Sequence, residues 1–530
     1  MKPIRLMRGF LTVGLWTMAS RVLGFVRDIM IAAYLGAGPV AEAFLIAFSL
    51  PNMFRRFFAE GAFNMAFVPM FSKKLEGGED AADFARDAFA AMTVILTGLT
   101  ILGIIFMPGL VYLMASGFAD DMRFDLAVEY GRIAFPYILF ISLAALASGV
   151  LNATGRFMAA AAAPVLLNVI FISGVLIGAA LGRPPSDMLG LGLDRALSLQ
   201  VGDTLALSVP IAGAAQLALV WWAAKRAGFT LRLKRPKMTP ELKRLAIIAA
   251  PAALAGGVVQ INLLIGRQVA SFFDGAIAWL NYADRMYQLP LGVVGIAIGV
   301  VLLPDLSRRL RAEDTVGGRD AFNRAGEICL ALTIPSAVAL IVIPVPLIGV
   351  LFQRGAFGPQ DTAATAAALA IYGLGLPAFV LQKVLQPLYF ARENTKSPFY
   401  YAVVSMLVNA ALAIGLAPFI GYLAAAIGTT LAAWAMVLQL WLGSRHMGDA
   451  ARIDTRFRQR IGRIVIASAL MGLCLYASSW ALTPVFGMAT WRYAALAAVV
   501  TVGIASYFIA ANRLGAIKFS ELRRTMRRNN

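Results

Sequence analysis

The chain has 530 residues, of which 60% are hydrophobic and 14% are charged, and this composition excludes an ordinary soluble domain. Its formal net charge of +19 is typical of the lysine and arginine in cytoplasmic loops of membrane proteins, so we do not assign it to nucleic-acid binding. With two cysteines and one histidine, the sequence predicts no disulfide framework, no metal site and no cofactor.

Apolar stretches of about 20 residues recur along the whole chain, which predicts an all-α, polytopic membrane protein. Several stretches are longer than a bilayer requires, so we expect tilted or projecting helices. We predict fourteen transmembrane helices, at residues 10–35, 40–71, 86–115, 127–152, 157–182, 204–224, 243–272, 276–305, 322–352, 361–390, 398–419, 421–444, 461–482 and 490–512.

Basic residues concentrate in alternate connecting segments of this arrangement. The largest groups lie between Lys225 and Arg244, between Arg445 and Arg463, and after Arg513. Because cytoplasmic loops collect lysine and arginine, the alternation places both termini in the cytoplasm.

An internal repeat divides the chain. FVPMFSKKL at 67–75 resembles LLPDLSRRL at 302–310, and the spacing of Pro136 to Asn168 recurs between two residues of the second half, Pro377 and Asn409. The matching elements lie an even number of spans apart, so the two halves have the same orientation. This pattern predicts a parallel repeat about an axis along the membrane normal.

We therefore expect two six-helix lobes, at residues 1–228 and 229–450, related by a pseudo-two-fold axis. Residues 451–530 would add two further helices and a basic cytoplasmic tail. Transporters built in this way bind substrate between the halves and alternate access by rocking them.

Charged residues within the predicted spans are the functional signal, because each is costly in hydrocarbon unless it meets water, a partner or a ligand. In the first span, SRVLGFVRD (20–28) places Arg21, Gly24 and Asp28 on one helix face, with Arg27 about 120° away. A distortion at Gly24 would bring both arginines toward a ligand. The alternative is that Arg27 pairs with Asp28 and supports the structure.

The second span contains two adjacent arginines. Glu42 and Ser49 lie on a face that extends to Arg56, while Arg55 points elsewhere on an ideal helix. Pro51 bends this helix, so helical spacing does not decide which arginine faces a cavity. Both arginines are also close enough to the cytoplasmic end to extend to the membrane surface.

The eighth span carries a polar stripe on an otherwise apolar helix, formed by Asn281, Asp284, Arg285 and Gln288. Such a stripe requires a wet cavity or a polar partner. Arginines outnumber carboxylates among these internal charges, which favours an anionic ligand, and guanidinium groups bind phosphate oxygens in bidentate fashion.

Several of these segments together resemble the MurJ (MviN) family of bacterial lipid II flippases, part of the multidrug/oligosaccharidyl-lipid/polysaccharide exporter superfamily. The matching segments are SRVLGFVRD, GAGPVAEAFLIAF, LPNMFRRFFAEGAFNMAFVP, FPYILFISL, NYADR, LPDLS, LFQRGAF and KVLQPLYFARENTKSP. The resemblance implies a transporter of the bacterial inner membrane, and not an enzyme. It would flip undecaprenyl-diphosphate-linked disaccharide-pentapeptide to the periplasmic leaflet for peptidoglycan synthesis.

The resemblance also assigns residues to the substrate site. It implies substrate binding by Arg21, Arg27, Asp28, Arg55 and Arg285, and it favours Arg55 over Arg56. With the helix patterns, it leaves Glu42, Asn281, Asp284 and Gln288 as supporting residues of the cavity. The last two helices would form a groove for the lipid tail.

One departure from the family concerns energy coupling. Some members have a carboxylate, thought to help bind sodium, at the position that Gly266 occupies here, so membrane potential is the alternative source. We expect a monomer in contact with membrane lipids, with cell-wall synthesis proteins as partners. The rival functions are export of another polyprenyl-diphosphate-linked glycan or a drug, and a non-transporting scaffold.

Overall fold

Helices account for the regular secondary structure in the described part of the chain. A computed structural model describes residues 3–56, 64–78, 80–181, 200–231, 239–297 and 303–516. Within the described residues, each of the fourteen predicted spans corresponds to one helix or to two consecutive helices, while residues 57–63 of the span 40–71 and residues 298–302 of the span 276–305 lie outside the described part. The all-α fold class predicted from the sequence is confirmed.

The α-helices are numbered in chain order. The first ten are α1 (Pro3–Leu35), α2 (Pro39–Arg55), α3 (Asn64–Glu76), α4 (Ala81–Ile105), α5 (Met107–Met114), α6 (Met122–Ala134), α7 (Tyr137–Ala153), α8 (Met158–Leu181), α9 (Val201–Arg226) and α10 (Pro240–Ala270). The others are α11 (Ala276–Ala297), α12 (Leu303–Arg311), α13 (Thr315–Val342), α14 (Pro344–Phe352), α15 (Pro359–Phe390), α16 (Lys396–Ile420), α17 (Leu423–Ser444), α18 (Thr455–Ala481), α19 (Thr483–Phe486) and α20 (Arg492–Arg513). Two short 3-10 helices cover Ser116–Phe118 and Asp449–Ala451.

Ten helical segments of the described residues are long and apolar enough to cross a membrane. The predicted spans outside this set correspond to α1, α2 with α3, α10, and α11 with α12. Helix α2 has only 17 residues, and α11 carries Asp284 and Arg285 within its 22 residues. The polytopic class is therefore supported by length and apolar character, while the count of fourteen spans stays a prediction.

Local sequence signals explain where many helices begin. The side chains of Asp80, Asp314 and Asp454 accept hydrogen bonds from backbone N–H groups in the first turns of α4, α13 and α18. Proline stands in the first turn of α2, α10 and α15. Both features satisfy or remove the unpaired N–H groups of a helix start.

The chain packs as two compact units. Unit 1 comprises Met1–Ala278 and the short segment Arg354–Phe357. In it, α8 packs against α1 and α9, α7 packs against α9, and α2 packs against α6. Aromatic side chains of α2 and α8 meet in its core, where Phe171 contacts Phe44 and Phe48 edge to face.

Unit 2 comprises Trp279–Gln353 and Gly358–Asn530. Helix α17 packs against α15 and α16, and α13 packs against α15 and α18. Helix α20 packs in turn on α18. The Tyr389 hydroxyl donates to the Leu440 carbonyl at 2.6 Å, and the Tyr507 hydroxyl donates to the Ala331 carbonyl at 2.5 Å.

The boundary between the units differs from the predicted lobe boundary at residue 228. Unit 1 continues through α10 to Ala278, because α10 packs against α3, α5 and the 3-10 helix Ser116–Phe118. Compact packing and sequence repetition are different criteria. The division into lobes at 1–228, 229–450 and 451–530 therefore stays a prediction from the repeat.

A buried ion network ties together three segments of unit 1. Arg123 of α6 lies only 6% exposed and donates to Glu42 at 2.9 Å, to Asp121 at 2.6 Å and to Asp274 at 2.9 Å. Its guanidinium also lies 4.4 Å from the ring centre of Phe118. Burial opposes ionisation of the Asp121 carboxyl, but hydrogen bonds from the Arg123 backbone and side chain lower its pKa overall.

Glu42 of α2 completes this network. Its side chain is 1% exposed; one carboxylate oxygen accepts from Arg123 and the other accepts from the backbone N–H of Ile277 at 3.0 Å. The second bond lies in the first turn of α11, where a carboxylate is favoured by the unpaired N–H groups. The network therefore fixes the connection between α10 and α11 to the body of unit 1.

A second contact in unit 1 depends on two glycines. The Ala356 N–H donates to the Ala33 carbonyl at 2.8 Å, which places residues 354–357 against the end of α1. Gly355 and Gly36 have positive φ angles of +57° and +61°. An added Cβ would lie 2.1 Å from the Ala33 oxygen at Gly355, and 2.5 Å from the Ala356 oxygen at Gly36. Only glycine fits at these two positions.

We expect Gly355→Ala to lower stability by about 1–3 kcal/mol, because it adds left-handed backbone strain and a clash with backbone. Thermal unfolding of the purified protein in detergent measures the effect. Gly98→Ala is the control, since an added Cβ there meets nothing within 4 Å and alanine favours a helix. Equal melting temperatures for both variants would contradict this account of the contact.

We expect Arg123→Ala to cost about 3–5 kcal/mol, because it leaves the buried Glu42 carboxylate without its cation. Arg308→Ala is the matched control, since Arg308 is 78% exposed and pairs with Asp305 at 3.5 Å; an exposed pair contributes less than about 1 kcal/mol. The same unfolding measurement compares the two. A loss at Arg123 no larger than at Arg308 would rule out a structural role for the network.

Candidate functional site

Arg27, one of the two arginines in the first predicted span, is part of a buried ion pair. Arg27 donates through Nε at 2.9 Å and through Nη2 at 2.7 Å to the same carboxylate oxygen of Asp28. The two side chains are 7% and 5% exposed. Taking both charges out of water is costly, and their close pairing offsets that cost. The geometry in this structure therefore matches the pairing alternative for Arg27.

Helix α8 supplies further contacts of Arg27. Its Nη1 donates to the side-chain oxygen of Asn168 at 3.0 Å. The guanidinium also lies 5.5 Å from the ring centre of Phe171, within cation–π distance. Asp28, Asn168 and Phe171 together fix the plane of the guanidinium between α1 and α8.

Arg21 differs from Arg27 in its surroundings. It lies on the same helix, roughly 9 Å along the axis by the rise of an α-helix, and its side chain is exposed. The preceding residue is held by α8, because Asn168 donates from Nδ2 to the Ser20 carbonyl at 2.9 Å. An accessible guanidinium on a fixed stretch of helix is able to bind an anion.

The arginines of α2 lie at its carboxyl end. Arg55 is half-buried and Arg56 is exposed. Arg55 is the last residue of α2, and residues 57–63 lie outside the described part of the chain. The assignment of Arg55 as the functional arginine stays a prediction.

Glu42 was expected to support the cavity. In this structure both of its carboxylate oxygens accept hydrogen bonds within the buried ion network around Arg123. One accepts from Arg123 and the other accepts from the Ile277 N–H. Its observed contacts therefore serve the fold of unit 1.

In unit 2, the predicted polar stripe lies along the less buried side of α11. Asn281, Asp284, Arg285 and Gln288 are all partly exposed. Neighbouring apolar residues of the same helix are buried, namely Tyr282, Ala283, Met286 and Tyr287. The Gln288 side-chain amide donates to the Asp284 carboxylate, so this hydrogen bond joins two members of the stripe one helical turn apart.

Two residues of the unit 1 site were not assigned by sequence reasoning. In the sequence, Asn168 is a marker of the repeat, and Phe171 is one of many apolar residues in its predicted span. The available signal was a single asparagine within the apolar run PVLLNVIFIS. A buried amide needs partners, but the sequence gives no indication of which helix would supply them.

The position considered for sodium coupling carries no side chain. Gly266 in α10 is half-buried, and an added Cβ would meet nothing within 4 Å. Across the ranges that the structure describes, no group of three or more His, Cys, Asp or Glu residues could hold a metal ion.

Comparisons with known proteins point to a single family. A family profile described as "Lipid II flippase MurJ" matches residues 31–501. The "Probable lipid II flippase MurJ" of Rhizobium meliloti (strain 1021) is 43% identical over 530 residues, covering 99% of this chain and 96% of that protein.

Solved structures agree with this match. A structure described as "Lipid II flippase MurJ, inward closed conformation" aligns with a TM-score of 0.78 and 26% identity, covering 95% of this chain and 98% of that one. An inward-facing multidrug resistance MATE family transporter of the MOP superfamily aligns with a TM-score of 0.64 and 14% identity, covering 83% and 98%. The second match shows a shared fold only. By its profile match and its curated relative, the chain belongs to the lipid II flippase MurJ family.

Proposed function

We propose that this protein flips lipid II from the cytoplasmic to the periplasmic leaflet of the bacterial inner membrane by alternating access. Family membership and the names of its relatives support this function. The proposed substrate is undecaprenyl-diphosphate-linked disaccharide-pentapeptide, which consists of a sugar-peptide head, a diphosphate and a polyprenyl tail.

The observation that carries the proposed mechanism is the exposed Arg21 beside a fixed, buried Arg27 on α1. A diphosphate carries several negative oxygens, and guanidinium groups bind such oxygens with paired hydrogen bonds. We assign direct phosphate contact to Arg21. Arg27, paired with Asp28 and held by Asn168, would supply guanidinium N–H groups in a fixed position, while the pair itself adds no net charge.

In unit 2 the corresponding candidate is Arg285 on the partly exposed side of α11. We propose that it also binds a phosphate group during the transport cycle. Asp284 and Gln288, hydrogen bonded to each other, and Asn281 would keep the surroundings of Arg285 polar. Arg55, half-buried at the end of α2, would draw the substrate in from the cytoplasmic side.

The two helices after the repeat have the chemistry of a lipid-tail surface. Large apolar side chains on α18 and close to its end are well exposed, among them Leu473, Tyr476 and Trp480. Exposed apolar side chains of this kind are stable in contact with lipid chains. We propose that this surface accommodates the polyprenyl tail of the substrate.

The orientation that we propose has both termini in the cytoplasm, because the basic connecting segments then face the cytoplasm. We propose that a monomer carries out transport. Membrane lipids would contact its exposed apolar helices, and cell-wall synthesis proteins are the partners that this function implies.

We expect Arg21→Ala and Arg285→Ala each to abolish rescue of a flippase-depleted strain, because each removes a phosphate-binding cation. Colony formation on depletion is the measurement, with protein amounts checked by immunoblot. Arg308→Ala, which removes an arginine that is 78% exposed and paired with Asp305, should restore growth fully. Normal growth with well-expressed Arg21→Ala would overturn the proposed site.

Binding measurements with different ligands separate lipid II transport from the rival functions. Purified protein should bind lipid II more tightly than other undecaprenyl diphosphates if the disaccharide-pentapeptide is recognised. Equal affinities would favour export of another polyprenyl-linked glycan, and unchanged growth of all arginine variants would favour a scaffold.

We expect transport in proteoliposomes to proceed at the same rate when potassium replaces sodium at constant membrane potential. The reason is that Gly266 supplies no carboxylate at the position where some family members have one. Collapse of the potential should slow transport, because charges in the membrane respond to it by about 2.3 kcal/mol per charge per 100 mV. A strict need for sodium at fixed potential would contradict this expectation.

A further inference from the structure

Asn168 is a buried polar residue whose role the proposed mechanism does not yet explain. It lies in the middle of α8, within the apolar run PVLLNVIFIS, and is 4% exposed. An amide in such surroundings is costly unless all of its polar atoms are satisfied. The question is therefore which groups it binds and what those bonds accomplish.

The bonds of Asn168 lead to one helix. Its Nδ2 donates to the Ser20 carbonyl at 2.9 Å, to the Ser20 hydroxyl at 3.3 Å and to the Pro164 carbonyl within its own helix at 3.3 Å. Its Oδ1 accepts from Nη1 of Arg27 at 3.0 Å. One side chain thus holds α1 at two points that lie on either side of Arg21 in sequence.

Asn168 can bind both Ser20 and Arg27 because α1 and α8 approach each other closely. Gly24 lies between the two points, and a Cβ built there would be 3.6 Å from the Asn168 amide. The amide therefore lies directly against the helix surface. In this position, its donor group and its acceptor group serve two different parts of α1.

Because the Asn168 side-chain amide is neutral, its hydrogen bond to Arg27 does not change the net charge around the guanidinium. Asp28 pairs with Arg27 and cancels its charge, whereas Asn168 accepts a hydrogen bond without adding a negative charge. It can therefore orient the guanidinium without weakening its attraction for an anion. A second carboxylate in this place would reverse the sign of the group.

We propose that Asn168 is a positioning residue for substrate binding, acting through Arg27 and through the backbone at Ser20 to orient both arginines of α1 toward the diphosphate. This inference rests on the proposed function. Asn168 itself makes no contact with the substrate; it determines how the guanidinium groups are presented.

Asn168→Ala tests the inference, with Asn409→Ala as the matched control. Asn409 of α16 has the same spacing to Pro377 as Asn168 has to Pro136, and it is also buried, at 1% exposure. Both variants remove a buried amide from a helix and should lower the melting temperature. Only Asn168→Ala should weaken binding of lipid II by purified protein, by about tenfold, which is typical of losing a hydrogen bond to a charged group.

Two readouts separate positioning from a general structural role. In a double-mutant cycle, Asn168→Ala should lower lipid II affinity less in an Arg27→Ala background than in wild type, because only the bonds to Ser20 then remain to be lost and coupled residues are not additive. The preference for lipid II over undecaprenyl monophosphate should also decrease in Asn168→Ala. A variant that is merely destabilised would lose affinity for both ligands equally.

The outcomes distinguish this inference from the proposed function. If Arg21→Ala binds lipid II like wild type, the proposed arginine site fails. If Arg21→Ala loses binding while folded Asn168→Ala keeps it, Asn168 is not a positioning residue. Should the alanine variant not fold, Asn168→Leu keeps a side chain of similar volume without any hydrogen bond, and wild-type affinity in that variant would overturn the inference.

Discussion

The buried charge of Arg27 is the constraint on which the site in unit 1 depends. A guanidinium in an apolar helix bundle requires a counter-charge and hydrogen-bond acceptors, because an unpaired buried charge would strongly destabilise the packing of that helix. Asp28 supplies the charge at 2.7 Å and Asn168 supplies a further acceptor at 3.0 Å. These contacts fix α1 against α8, and they also fix the rotation of α1 that determines where Arg21 points.

The same principle is used a second time in unit 1 for a different purpose. Arg123 binds Glu42, Asp121 and Asp274, and the Glu42 carboxylate also accepts from the first turn of α11. Here the carboxylates outnumber the arginine. No excess of positive charge is available for an anionic ligand, so this network stabilises the fold rather than a substrate.

Much of the fold follows from the sequence, because hydrophobic length and charged ends act locally. Every predicted span corresponds to helices, and the breaks between α4 and α5 and between α13 and α14 fall beside Pro108 and Pro344. The pairing of Arg27 with Asn168 was not predictable, since 141 residues separate them. The extension of unit 1 to Ala278 likewise depends on packing between helices distant in sequence, which periodicity does not encode.

For the site residues too, the sequence predicts local chemistry but not long-range contacts. The sequence gives the chemical type, an excess of arginine over carboxylate, but it cannot decide whether a particular arginine is free or engaged. Arg27 and Arg21 occupy one motif, yet one is buried beside Asp28 and the other is exposed. Arg27 lies against α8, where Asn168 and Phe171 contact it, whereas the side chain of Arg21 is exposed.

This division of roles explains why a flippase of this kind would need several arginines. In the proposed site, an ion pair such as Arg27–Asp28 has no net charge, so it would orient a diphosphate without holding it strongly. An exposed cation such as Arg21 would attract the diphosphate, but alone it would match only part of the ligand's charge. Since guanidinium stays protonated at all physiological pH values, release cannot come from loss of a proton. In the proposed mechanism, release therefore comes from a changed arrangement of the arginines around the ligand, with α1 moving as one segment that Asn168 and Asp28 hold in shape.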